Sequence, residues 1–155
     1  MIGIIVYSAT GNTLSVAERL KDALIKGGKQ AEILRFKVEG NARTGVKDLK
    51  ISEQPDLSLY DAYVFAAPVQ GFAVASSMNA YLKQIIELNG KKVVLLTTQH
   101  FKYAWMGGNR AIKQMTELSI SHGGIVIGSA VINWSRADRE EIIVNSVKQL
   151  AEKLI

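Results

Sequence analysis

Apolar residues recur along this chain in two alternating rhythms, and the alternation predicts its architecture. Ile2 to Tyr7 is a run of β-branched and apolar residues that reads as a strand. Val16, Ala17, Leu20, Ala23 and Leu24 then follow at helical spacing, and Gly27-Gly28 closes the helix. Gln30 to Phe36 predicts a short second strand. Order weakens over residues 37–60, where Gly40, Asn41, Gly45, Pro55 and many charges give a long surface connection, with a short helix expected around Val46 to Leu49. Asp61 to Ala67 is nearly all apolar, the signature of a central strand buried on both faces of a parallel sheet. Met78, Tyr81, Leu82, Ile85 and Ile86 mark the next helix, and Lys91 to Thr98 repeats the buried-strand pattern. A helix from Asn109 to Ser121 closed by Gly123-Gly124, a fifth strand from Ile125 to Ile132, and a helix from Asp138 to Leu154 complete the chain. Five strands alternating with helices predict an α/β sandwich on a parallel sheet, one domain over residues 1–155.

The chemistry of such a sheet gathers outside the C-terminal ends of its strands. Three stretches fall there: 8–13, 68–72 and 98–108. The first, Ser8-Ala9-Thr10-Gly11-Asn12-Thr13, joins strand to helix. It aims helix N-terminal amides and the hydroxyls of Ser8, Thr10 and Thr13 at one point, and Gly11 lets a ligand approach the backbone. That arrangement suits a phosphate, although the same residue types also cap helices and do nothing more. Neither Gly-x-Gly-x-x-Gly nor Gly-x-x-x-x-Gly-Lys-Ser/Thr occurs, which disfavours a dinucleotide fold and a nucleoside triphosphatase.

The hexapeptide of residues 8–13, directly after the first strand, resembles the phosphate loop of the flavodoxin family, in which hydroxyls and amides hold the phosphate of FMN. The resemblance implies a flavodoxin-like three-layer sandwich with strand order 2-1-3-4-5, with FMN as a non-covalent cofactor. It implies cofactor contacts from Ser8, Ala9, Thr10, Gly11, Asn12 and Thr13 to the phosphate. Pro68, Val69, Gln70, Gly71 and Phe72 would lie along the flavin ring edge, and Thr98, Gln99, His100, Phe101, Trp105 and Gly107 would border its far side. Taken alone, Pro68 and Gly71 also read as ordinary turn punctuation, and Phe101 and Trp105 as a satellite core or a contact with a second subunit, so a homodimer stays open. Thr-Gln-His at 98–100 also resembles a segment of the flavodoxin-like NAD(P)H:quinone reductases, where two glycines follow closely. Here Phe101 to Met106 intervene before Gly107-Gly108.

Two functions are therefore expected. One is electron transfer between redox partner proteins through the flavin; the other is NAD(P)H-dependent reduction of quinones or other small acceptors. A flavin-binding module without turnover is the third option. A response-regulator receiver shares the topology but needs carboxylates where Tyr7-Ser8 stand. His100 could move a proton near neutral pH, or simply anchor its loop, and is the weak catalytic candidate; His122, at a helix end, reads as structural. Lys102, Arg110 and Lys113 could receive an anionic substrate or form a solvated basic face. Asn133-Trp134-Ser135 follows the fifth strand and could border the site, but reads foremost as the cap of the last helix. No metal site is expected.

Charge qualifies this picture. A net charge of +5 is opposite in sign to that typical of diffusible flavodoxins, so the chain would need acidic partners, or none. The cations form no block, and nucleic-acid binding is not expected. Zero cysteines exclude disulfides and thiolate chemistry and fit a reducing cytoplasm. No apolar run approaches membrane-spanning length, and no membrane association is expected.

Overall fold

The computed structural model describes residues 1–40 and 49–155. The long apolar runs form a parallel sheet of five strands: β1 (Ile2–Val6), β2 (Ala31–Arg35), β5 (Ala62–Gln70), β7 (Lys92–Gln99) and β8 (Ile125–Asn133), in the spatial order β2-β1-β5-β7-β8. Counting only these five, this is the expected order 2-1-3-4-5. Successive side chains of a strand point to opposite faces, so an unbroken apolar run has to be covered on both.

Both faces are covered here. Ile2, Ile4, Val6, Val64, Ala66, Val94 and Leu96 point to α1 (Asn12–Lys26) and α4 (Arg139–Leu154), where Val16, Leu20, Leu24, Ile143, Val147 and Leu150 meet them. Ile5, Tyr63, Phe65, Val93 and Leu95 point the other way, to α2 (Ser76–Gln84) and α3 (Gly108–Ser121), meeting Met78, Tyr81, Leu82, Ala111 and Met115. The second layer is built on rings: Phe36 stacks on Tyr81 with centroids 4.3 Å apart.

The connection between β2 and β5 is more structured than its sequence suggests. Lys37–Val38 (β3) and Ile51–Glu53 (β4) pair antiparallel, and a 3-10 turn over Leu57–Leu59 is capped by Asp56, whose carboxylate accepts from the Ser58 amide. The expected helix around Val46 to Leu49 falls largely outside the described residues, and Leu49 is buried. α2 stops at Gln84, short of Ile85 and Ile86, because Ile85 turns to extended backbone at φ −69°, ψ 158°. β8 carries one extra residue: Val93 pairs with Val126 but Val94 pairs with Gly128, leaving Ile127 as a bulge.

Tyr60 closes the lower end of the sheet. It is buried, and its hydroxyl donates to Glu32 Oε2 at 2.7 Å. Burial, followed by that carboxylate, pushes the phenol up to about 12. A phenol with a raised folded value contributes stability that is intact below its unfolded value near 10 and is lost as pH rises toward about 12. Tyr60→Phe should cost about 1 kcal/mol at neutral pH through the lost hydrogen bond. It should also flatten the fall in stability between these two pH values, which denaturant titrations at successive pH values would read; an unchanged alkaline slope would refute the assignment.

Candidate functional site

Strand register brings the four loops of one sheet edge level. Val6 pairs with Ala66, Pro68 with Thr98, and Gln99 with Asn133, so β1, β5, β7 and β8 end side by side. Since β1 sends the chain to β2 on one side while β5 lies on the other, the ends diverge there and leave a crevice. An open cleft of about 260 Å³ occupies it, lined by Ala9, Thr10, Asn12, Pro68, Val69, Gln70, Thr98, Gln99, His100 and Trp134.

The floor of the cleft is the turn from β1 into α1. Gly11 caps the helix at φ +93°, and no atom lies within 4 Å of where its side chain would be. The Ser8 hydroxyl turns inward and accepts from the amides of Gly11 and Leu14, at 3.1 and 3.3 Å. Thr13 is 1% exposed and shares a 2.8 Å hydrogen bond with the Thr98 hydroxyl, tying the helix start to the end of β7. Ser8 and Thr13 therefore brace the turn from behind. Thr10 and Asn12 line the cleft, at a helix N-terminus whose partial positive charge suits an anion.

One wall is a hairpin. β5 runs on through Pro68, Val69 and Gln70 and turns over Gly71 and Phe72 into β6 (Ala73–Val74). Gly71 and Phe72 have φ of 59° and 60°, the two left-handed residues of a type I′ turn. For a phenylalanine that is uncommon. Residues 99–107 pack beside the hairpin, and of these Gln99 and His100 line the cleft. Phe101 stacks on Phe72 at 5.4 Å between centroids, and Tyr103 on Trp105 at 6.2 Å. The Gly107 backbone, at φ +121°, lies under the hairpin, where a Cβ would stand 2.9 Å from Phe72 Cα.

No protein-family model matches the chain. An NAD(P)H dehydrogenase (quinone) from Archaeoglobus fulgidus is 26% identical over 148 residues, 81% of this chain and 74% of that protein. A flavodoxin from Streptococcus pneumoniae superposes with a TM-score of 0.69 at 21% identity, over 99% of this chain and 96% of its own. The fold is that of the flavodoxins. A flavoprotein from Lactobacillus acidophilus, solved in complex with FMN, superposes with a TM-score of 0.64 at 16% identity over 94% and 97% of the two chains.

In this flavodoxin-like fold the expected site residues divide into three groups. Ala9, Thr10, Asn12, Pro68, Val69, Gln70, Thr98, Gln99 and His100 line one cleft, as expected. Ser8, Gly11 and Thr13 stand behind its floor, and the expectation that three hydroxyls converge on one point holds for Thr10 alone. Gly71, Phe72, Phe101, Trp105 and Gly107 are not part of the lining. Phe72 and Phe101 occupy each other, Trp105 is 73% exposed, and Gly107 is buried under the hairpin. The expected loop 68–72 is mostly strand.

Trp134 lines the cleft, so of the two readings of residues 133–135 the one that has them border the site holds for it. α4 is instead preceded by Asp138, with no side-chain cap hydrogen bond. An aromatic residue one position beyond a strand's C-terminal end was the available signal. Trp134 is held by Arg139, whose guanidinium lies 4.6 Å from its ring and donates to its carbonyl at 2.9 Å. His122 is structural, its Nδ1 2.9 Å from the Leu118 carbonyl. A larger depression of about 510 Å³ lies between α1 and α4, an open trough with Ala23, Val144, Val147, Ala151 and Ile155 along it and Arg19, Asp22, Lys26, Lys148 and Glu152 around them. No helix among the described residues is long and apolar enough to cross a membrane.

Proposed function

We propose that the cleft binds FMN and that the protein is a flavodoxin-like electron carrier of the reducing cytoplasm. One observation carries this reading. The N-terminal turn of α1, with Thr10 and Asn12 on its open side, faces the same cleft as the ends of β5 and β7. The residues present fit the cofactor. The α1 turn offers backbone amides, the Thr10 hydroxyl and a helix dipole to a phosphate, and the open Gly11 allows close approach. Pro68, Val69 and Gln70 offer a flat strand end on one side, with His100 and Trp134 on the other. Bound FMN would supply the redox chemistry, and the protein tunes it by burial, hydrogen bonds and charge near the ring.

The chain's own part is to bind and orient. Ser8 and Thr13 keep the turn in shape before any ligand arrives, which lowers the entropy cost of binding. The cleft is small and open, so part of a bound ring would stay exposed, as exchange of electrons with a partner requires. Residues 99–113 hold Lys102, Arg110 and Lys113 and no acidic residue. A partner protein would present acidic groups, and its association would slow as salt rises.

The second reading, NAD(P)H-dependent reduction of a quinone or similar small acceptor, is favoured by the archaeal relative's name and by the basic aromatic loop. His100, exposed at the cleft, is the group that could give up a proton there.

The test is the visible spectrum of FMN-reconstituted protein under anaerobic conditions, followed on adding NADPH and then dithionite. A carrier is expected to keep its colour with NADPH and lose it with dithionite. Bleaching by NADPH within seconds would select the reductase. Failure to retain FMN on a desalting column would overturn both, and bound flavin that no reductant or partner discharges would leave a binding module.

A further inference from the structure

Gln99 stands at the end of a buried apolar strand and is 3% exposed, yet it carries a full carboxamide. All of that group's capacity is used within the protein. Nε2 donates toward the carbonyls of Phe101 and Tyr103, at 3.1 and 2.6 Å, and toward Asn133 Oδ1 at 2.6 Å. Oε1 accepts from the Gly108 amide at 2.8 Å, so Gln99 rather than a residue of the helix itself satisfies the first turn of α3. The Gln99 backbone continues the pattern. Its carbonyl accepts from the Trp134 amide at 2.7 Å, and the His100 carbonyl accepts from Ser135 at 3.2 Å.

Three segments thus meet on one side chain, the aromatic loop 100–107, the start of α3 and the end of β8 at Asn133, and the turn bearing Trp134 joins them through the Gln99 backbone. Other contacts hold the loop at its surface, the Phe101 stack on Phe72 and the Arg136 guanidinium on the Lys102 carbonyl. But Phe101, Lys102, Tyr103 and Trp105 are exposed, so the Gln99 carboxamide is its buried polar anchor, and inside the protein a satisfied amide is far cheaper than an orphaned one.

We propose that Gln99 is the positioning residue of the cleft's far wall. It sets the shape of residues 100–107 and the place of Asn133 through its side-chain hydrogen bonds, and with them the position of His100 and Trp134, which line the cleft beside it. The inference deepens the FMN reading, because His100 and Trp134 border the space the flavin would fill.

Gln99→Leu keeps the volume and removes every side-chain hydrogen bond while leaving the backbone bond to Trp134 in place. Digestion of the ligand-free protein with trypsin, following the fragment that ends at Lys102, should proceed at least tenfold faster than in the unaltered protein. FMN affinity should fall about tenfold. Gln99→Glu gives a second, chemically distinct readout. An ionised carboxylate cannot donate to the two carbonyls and the Asn133 oxygen, whereas a protonated one restores one donor. Burial and those oxygens should raise the new carboxyl above the ordinary range, so the wall is ordered at low pH and released as pH rises through that value. Amide NMR signals of Tyr103, Gly108 and Trp134 should then shift together with one midpoint between pH 5 and 8, a coupling that mere packing would not produce.

Should either variant fail to fold, Asn133→Leu removes one acceptor only and should raise the cleavage rate at Lys102 by a smaller factor. Cleavage at the unaltered rate in Gln99→Leu, or independent amide shifts in Gln99→Glu, would overturn the proposal. Both readouts use ligand-free protein, so an unaltered chain that binds no FMN would sink the cofactor reading and leave this one standing on its own measurements.

Discussion

Thr10→Asp is expected to weaken FMN binding by at least a hundredfold while leaving the fold intact or slightly more stable. Thr10 is exposed at the floor of the cleft, so the change costs no packing. A carboxylate there would face the phosphate at close range. Two unit charges 4 Å apart repel by about 4 kcal/mol at an effective dielectric of 20, and a hundredfold loss needs only about 2.7 kcal/mol. Stability should move the other way. A carboxylate at the start of a helix is favoured by a few tenths of a kcal/mol. Fluorescence titration with FMN beside a melting curve separates the two: a variant that binds FMN as before would remove the phosphate from this turn, and one that merely unfolds would show the loss to be indirect.

Gly107→Ala should be the most damaging small substitution in the site. The residue sits at φ +121°, and the new methyl would lie 2.7 Å from Val69 Cγ1 and 2.9 Å from Phe72 Cα, which is backbone and cannot step aside alone. Backbone strain and overpacking each cost about 1–3 kcal/mol, so a loss of about 3 kcal/mol or more is expected, roughly 6–12 °C in melting temperature for a chain of this size. Since the clash pushes the hairpin off the aromatic loop, FMN binding should fall with it. Gly28→Ala is the control: Gly28 is at φ +87° with open space around it and should lose only about 1 kcal/mol. Equal losses at the two positions would mean that conformation alone, and not the contact between hairpin and loop, explains Gly107.

The fold was legible because its core is written in local pattern. The run from Ala62 to Ala67 and that from Val93 to Thr98 are apolar on both faces, and α1 and α4 carry unmistakable stripes. What escaped was decided by contacts between distant residues. Thr13 looks like a phosphate ligand in the sequence, and only Thr98, 85 residues away, shows where its hydroxyl goes. Gly71-Phe72 lacks the Asn-Gly or Asp-Gly of a usual type I′ turn, so Pro68 to Gln70 read as loop when they are strand. Gln99 lines the cleft, and nothing local reveals that its carboxamide is also bonded to the loop, to α3 and to Asn133. Trp134 read both as a border of the site and as a helix cap, and its sequence alone does not choose between them. The small β3–β4 pair was missed because strands of two or three residues have no period to detect.

The bulge at Ile127 reaches further than its position on an edge strand implies. Because a strand alternates its faces, a β8 that ran on from Val126 without the extra residue would set Ile132 opposite Gln99, and Asn133 would point to the α1 and α4 side. The bulge therefore works as a frame shift in space: it decides that an amide, not an isoleucine, meets the hub of the cleft. A single residue gained or lost between Gly128 and Asn133 would therefore exchange the side chain that meets Gln99 and rewrite the chemistry of that corner of the cleft.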